Sequence, residues 1–136
     1  MTRTDFISIQ TLCHATESED KVLEAVKRLY PTFTRRSVKG HFGNPIVLFE
    51  AHIKRKKEIT PVLELLKEKV SSEVAQDLHR RVDKKGNIYI RLDKQKLYQG
   101  KYILRDSGEV KIIIHIQYYP TEGKDAVYYA KNLFGH

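Results

Sequence analysis

Two stretches of this chain alternate apolar and polar residues with a period of two, and that period commits both to half-buried strands. In residues 45–54, Val47, Phe49, Ala51 and Ile53 point one way while Glu50, His52 and Lys54 point the other. In residues 87–93, Ile88, Ile90 and Leu92 oppose Tyr89, Arg91 and Asp93. The N-terminal FISIQTLCHA alternates less cleanly but is rich in β-formers and reads as a further strand. Residues 101–104 and 110–119 read as strands joined across Asp106-Ser107-Gly108-Glu109, a hairpin turn signal, and residues 36–38 as a short strand in a loop.

Helical signals separate these strands. Thr16 and Glu19 form a Thr-x-x-Glu capping box that opens a helix carrying Val22, Leu23, Val26 and Leu29, with Pro31 ending it. Thr60-Pro61 predicts an N-cap and first-position proline for a helix over 61–70, and Ser71-Ser72 a second short helix through Val74, Leu78 and Arg81. Residues 94–100 predict a single helical turn. Residues 121–134 predict a terminal helix with Ala126, Val127, Ala130 and Leu133 inward. Consecutive strands late in the chain favour α+β over alternating α/β. The expectation is one domain over 1–136, a two-layer α+β fold with helices on one face of a mixed or antiparallel sheet.

The formal net charge of +8 points to polyanionic partners, chiefly nucleic acid. The excess is concentrated. From Arg35 to Lys57 seven Lys or Arg face Glu50 alone, and from Arg81 to Arg105 eight face only Asp83 and Asp93. A Lys-rich surface kept for solubility or stability is the alternative reading. The lone Cys13 excludes an internal disulfide framework, and no apolar run approaches a membrane span, so a cytoplasmic location is expected.

Catalytic signatures are absent from the sequence. The six histidines form no His-x-x-x-His or His-Glu-x-x-His pattern, and no second cysteine accompanies them. Cys13 and His14 are strand neighbours, pointing to opposite faces, and so cannot pair as nucleophile and base. No enzyme activity, metal or cofactor is expected. The run KGHFGNPIVLF, residues 39–49, resembles an RNA-recognition strand at a glance. Gly43-Asn44-Pro45 interrupts the match, because proline removes a ladder donor and starts the strand afterwards. The loop over 40–45 retains the means to grip a phosphate through Arg35, Arg36, Lys39, His41 and glycine amides; a turn needed only for geometry is the other reading.

In NIYIRLDKQKLYQGKYILR, the cations Arg91, Lys94, Lys96 and Lys101 interleave with Tyr89, Tyr98 and Tyr102. Cations for phosphates beside aromatics for stacking are the ingredients of an RNA-binding surface. The candidate RNA-contacting residues are therefore Arg35, Arg36, Lys39, His41, Lys54, Arg55, Lys56, Lys57, Tyr89, Arg91, Lys94, Lys96, Tyr98 and Lys101. Structured or double-stranded RNA, read by shape, is the expected partner. Two rivals remain open: a protein-interaction or homodimeric subunit whose basic charge is incidental, and a small hydrolase using His41 and Asp93.

With HATE (His14 to Glu17), GHFGNPI (Gly40 to Ile46), IYIRLDKQKLYQGK (Ile88 to Lys101) and HIQYYP (His115 to Pro120) in this order, the chain resembles an archaeal family of RNA-binding proteins described as predicted exosome subunits. The resemblance implies a fold similar to that of the ribosomal protein that holds 5S rRNA. It also implies a non-enzymatic, RNA-related role among exosome or ribosomal components. It transfers no site residues.

Overall fold

The computed structural model describes residues 3–40, 43–119 and 123–134. Over these residues the chain forms β1 (Arg3–Cys13), α1 (Glu19–Val26), β2 (Thr34–Lys39), β3 (Pro45–Ile53), α2 (Lys56–Gln76), α3 (Leu78–Arg81), β4 (Asn87–Leu92), α4 (Lys94–Tyr98), β5 (Val110–Gln117) and α5 (Ala126–Phe134). The strands make an antiparallel sheet in the order β2-β3-β1-β5-β4, which is the expected α+β class. None of the described helices is long and apolar enough to cross a membrane.

Four strands bury every second side chain: Ile7, Ile9, Thr11 and Cys13 in β1; Phe49, Ala51 and Ile53 in β3; Ile88, Ile90 and Leu92 in β4; Val110, Ile112, Ile114 and Ile116 in β5. A slip of one residue would turn such a set to water, at about 1.5–3 kcal/mol for each large side chain, so the alternation fixes the register. Thr11 is the polar member, and its hydroxyl donates to the Glu109 carbonyl at 3.0 Å.

The chain divides into two compact units: the first comprises Met1–Ile7, Ile53–Ile90 and Ile112–His136, the second Ser8–His52 and Arg91–Lys111. In the first unit, α2 packs against α5 and α3. Val62, Leu66, Val70 and Val74 recur at every fourth residue of α2 and are buried. In the second unit, α1 packs on α4, and Cys13, Val22 and Phe49 form a buried cluster flanked by Leu23, Phe33 and Val47.

Several local expectations are corrected. Ser18, not Thr16, caps α1, its hydroxyl accepting from Lys21 N at 3.3 Å; Glu17 instead accepts from the His14 amide at 3.0 Å. The strand expected at 36–38 is the longer β2. The helix expected at 61–70 begins at Lys56 and runs unbroken to Gln76, because the buried stripe extends in both directions, to Ile59 and to Val74. Ser71 is not an N-cap: its hydroxyl donates at 2.9 Å to the Phe134 carbonyl, at the last residue of α5. Residues 101–104 are not a strand. Leu104 makes one bridge to Leu92, and Asp93 N and Arg105 N bond Ile103 O and Arg91 O, so this segment folds back on the end of β4 rather than pairing with β5. The terminal helix starts at Ala126; residues 121 and 122 of its expected span lie outside the described residues.

Pro61 thus lies inside α2, where it can donate no helix hydrogen bond and crowds the carbonyl one turn back. Pro61→Ala is expected to raise the unfolding free energy by about 1 kcal/mol or more, seen as a higher urea midpoint with unchanged slope.

Candidate nucleic-acid interface

In the second unit the basic segment starts on β2, an outer strand of the sheet. β2 pairs with β3 from Thr34↔Glu50 to Lys39↔Pro45. The two strands are joined by a turn in which Gly40 N bonds Asn44 O at 2.8 Å and Gly43 N bonds Gly40 O at 2.9 Å. Gly43 has φ +81°, a region glycine enters without penalty, and a Cβ on Gly40 would lie 2.6 Å from Asn44 Oδ1. The glycines of GHFGNPI are thus accounted for as a hairpin turn. His41 lies outside the described residues.

Register separates the two arginines. Arg35 pairs with the buried Phe49, and its guanidinium forks onto Glu19 of α1, at 2.7 Å from Nε and 3.0 Å from Nη2. The hydrogen bond from Arg35 holds the Glu19 carboxyl below the usual carboxylate range. Arg36, on the other face, and Lys39, at the strand end, are exposed.

The end of β4 and α4 follow. Asp93 caps α4, accepting from Lys96 N at 2.8 Å, and also holds Arg105 Nε at 2.9 Å. Gly100, with φ +86°, ends the turn: Gly100 N bonds Leu97 O and Lys101 N bonds Lys96 O, the paired bonds of a Schellman motif. Much of DKQKLYQGK is therefore helix punctuation. Arg91 is exposed but donates through Nη1 to Gly108 O at 3.0 Å. Lys96 is half-buried, while Tyr98 and Lys101 are exposed.

Lys94 departs from expectation. Its side chain is only 6 % exposed, and its ammonium donates to Leu12 O at 2.8 Å and Glu17 Oε1 at 2.7 Å, with Glu109 Oε2 at 3.5 Å. A group so enclosed cannot meet a phosphate in this fold, so the assignment of Lys94 to an RNA-contacting surface is withdrawn. Burial alone would raise the Glu17 pKa; the His14 amide and Lys94 outweigh it and hold the carboxyl lower. Cys13 sits beside this network with its thiol pKa pushed up, first by burial and then by Glu17, the reverse of what a nucleophilic cysteine needs.

In the first unit, Lys54, Arg55, Lys56 and Lys57 are all exposed at the start of α2. Arg55 stands at the N-cap with no side-chain cap bond. A helix start carries a partial positive charge that favours acids, so four cations there oppose the stability of the helix itself. Tyr89 is exposed on β4, but its hydroxyl donates to Asp83 Oδ2 at 3.0 Å, a bond that raises the phenol pKa. No group of three His, Cys, Asp or Glu among the described residues is placed to hold a metal ion.

Residues 6–119 match the family described as RNA binding. The chain belongs to that family. Its relatives include RNA-binding protein PAB1135 of Pyrococcus abyssi, 37 % identical over 134 residues, covering 89 % of this chain and 86 % of the relative. Two archaeal DUF54 proteins of known structure share the fold. They are Mth689 of Methanothermobacter thermautotrophicus, with TM-score 0.84, 28 % identity and coverage of 98 % and 99 % of the two chains, and AF2318 of Archaeoglobus fulgidus, with TM-score 0.84, 28 % identity and coverage of 96 % and 99 %.

The family match spans the hairpin turn, the start of α2 and α4, and stops before α5. Two features of this family member escaped sequence reasoning. One is the Lys94–Glu17–Glu109 network, whose signal was Lys94 standing three residues before Leu97, on the same helical face as that apolar residue. The other is a group of tyrosines, Tyr118, Tyr119, Tyr128 and Tyr129, in the first unit.

Proposed function

We propose that this protein binds structured RNA without catalysis, in RNA processing or a ribosome-related assembly. Arg36, Lys39, Lys54, Arg55, Lys56, Lys57, Arg91, Lys96 and Lys101 neutralise phosphates, and Tyr89 and Tyr98 offer exposed ring surface beside them. Arg35 joins them only by releasing Glu19, and His41 stays in the proposal on its place in the 40–45 loop. The observation that carries this reading is the run Lys54 to Lys57 at the start of α2, where the helix gains nothing from cations and a polyanion gains from every one. Membership of an RNA-binding family and similarity to the RNA-binding protein of Pyrococcus abyssi support it. A homodimer paired along β2 is disfavoured by charge, since Arg35, Arg36 and Lys39 would line the edges of both copies.

Fluorescence anisotropy with a labelled, folded RNA tests the proposal. Wild type is expected to bind at low salt, and Lys96→Gln/Lys101→Gln to bind about tenfold or more weakly at unchanged melting temperature. Absence of binding by wild type at low salt would overturn the reading.

A further inference from the structure

Four tyrosines of the first unit come from two pairs ten residues apart. Tyr118 and Tyr119 follow β5, while Tyr128 and Tyr129 lie in α5. The rings of Tyr118 and Tyr129 have centroids 5.8 Å apart, tilted by 41°, and Tyr129 meets Tyr128 edge-on at 5.4 Å. Tyr119 is 71 % exposed and Tyr128 43 % exposed. These rings lie on an anchored framework. The Tyr118 hydroxyl donates to the Lys84 carbonyl, the Tyr129 hydroxyl to the Tyr119 carbonyl at 3.2 Å, and Tyr128 N to Asp125 Oδ1 at 3.1 Å. Gly86, at φ +88°, leaves room for the Tyr118 ring, whose Cε1 would lie 3.1 Å from any Cβ there.

Charge and composition select the occupant. Lys124 Nζ stands 5.3 Å from the Tyr128 ring centroid, and Lys84, Lys85 and Lys131 are exposed on the segments that carry or hold the tyrosines. Among the described residues, the acids nearest in sequence are engaged: Asp125 accepts the Tyr128 amide, and Asp83 accepts from Lys85 N, Asn87 and Tyr89; Glu122 lies outside the described residues. Among the described residues of this unit, every large apolar side chain classed as exposed is a tyrosine: Tyr89, Tyr119 and Tyr128. A protein-docking patch would mix in aliphatic groups. Rings without aliphatics, beside cations, form a stacking platform for bases, which every base can use because each has a π face.

We propose that Tyr119 and Tyr128 stack on unpaired bases of the bound RNA while Lys124 and Lys84 hold the adjoining phosphates. This rests on the reading that the protein binds RNA, and it specifies that the RNA presents a loop, bulge or single-stranded end. The tyrosines of this site and Lys124 lie outside both basic segments, and α5 falls beyond the stretch the family match covers.

The test uses the full chain with two RNAs: a hairpin carrying 2-aminopurine in its loop, and a blunt duplex carrying the same base paired. Wild type is expected to quench the loop fluorophore. Tyr119→Ala/Tyr128→Ala is expected to lose the quench and at least tenfold in hairpin affinity, with less than a twofold change on the duplex. Tyr119→Phe/Tyr128→Phe, which keeps the rings, is expected to behave as wild type. Both positions are exposed, and a melting curve for each variant shows that it folds. If the alanine variant binds and quenches as wild type does, while Lys96→Gln/Lys101→Gln weakens both RNAs, the platform is overturned and RNA binding stands. If wild type binds neither RNA, both fall. If sedimentation shows a wild-type dimer that the alanine variant disperses, the occupant is a second copy and base stacking is overturned.

Discussion

Lys94→Met is expected to lower the unfolding free energy by about 3 kcal/mol and the melting temperature by about 10 °C. The substitution keeps the length and much of the volume of the side chain, so it leaves little cavity. What it removes is the ammonium between Leu12 O, Glu17 and Glu109. Breaking a buried ion pair costs about 3–5 kcal/mol because the surviving charge is stranded. The low end applies here, because the Glu17 side chain is 29 % exposed and water can partly replace the lost partner. Glu17→Gln in the Lys94→Met background is expected to recover a measurable part of the loss, giving a coupling of about 1 kcal/mol in a double-mutant cycle. The pH dependence has a fixed sign. The Glu17 pKa is lowered in the folded state, so its contribution is fully present above the unfolded carboxylate value and disappears as pH falls through the folded one. The stability gap between wild type and Lys94→Met is therefore expected to narrow in acid. A Lys94→Met protein of wild-type stability that bound RNA poorly would return Lys94 to the surface.

Strand register was legible because burial and alternation are the same fact: Phe49, Ala51, Ile53 and Ile88, Ile90, Leu92 are apolar at every second position and buried at those positions. Local punctuation was less legible, because packing decides between competing signals. Thr60-Pro61 is a good helix start, but burying Ile59 draws the helix one turn earlier, and the stripe through Val70 and Val74 carries it across Ser71-Ser72. Segment 101–104 has strand-like residues, yet the Schellman turn at Gly100 aims it back at β4. The candidate site suffered from the same ambiguity. Lys94, Lys96 and Lys101 look alike in sequence, and only the position of Lys94 against Leu97 and the acids Glu17 and Glu109 makes it structural. Two motifs that suggested RNA chemistry, GHFGNPI and DKQKLYQGK, owe their glycines and Asp93 to a hairpin turn and to helix caps. The tyrosine platform joins Tyr119, past a strand end, to Tyr128 on a helix nine residues later, so no local pattern announces it.

The start of α2 allows binding and stability to be moved in opposite directions. Arg55→Ser/Lys56→Gln/Lys57→Gln supplies the cap oxygen that α2 lacks and removes cations from the positive end of its dipole. Stability is expected to rise by about 1 kcal/mol. RNA affinity is expected to fall, and its salt dependence to flatten. If wild type neutralises about six phosphates, raising salt from about 50 to 200 mM weakens binding roughly a thousandfold; with about three contacts gone, the same change weakens it about 40-fold. Equilibrium binding at several salt concentrations reads the slope, and urea unfolding reads the stability. Loosening of the fold would lower stability and affinity together, so a more stable variant with a shallower slope assigns these side chains to phosphate contacts. An unchanged slope would take the run out of the interface, leaving four cations against a helix dipole with no ligand to account for them.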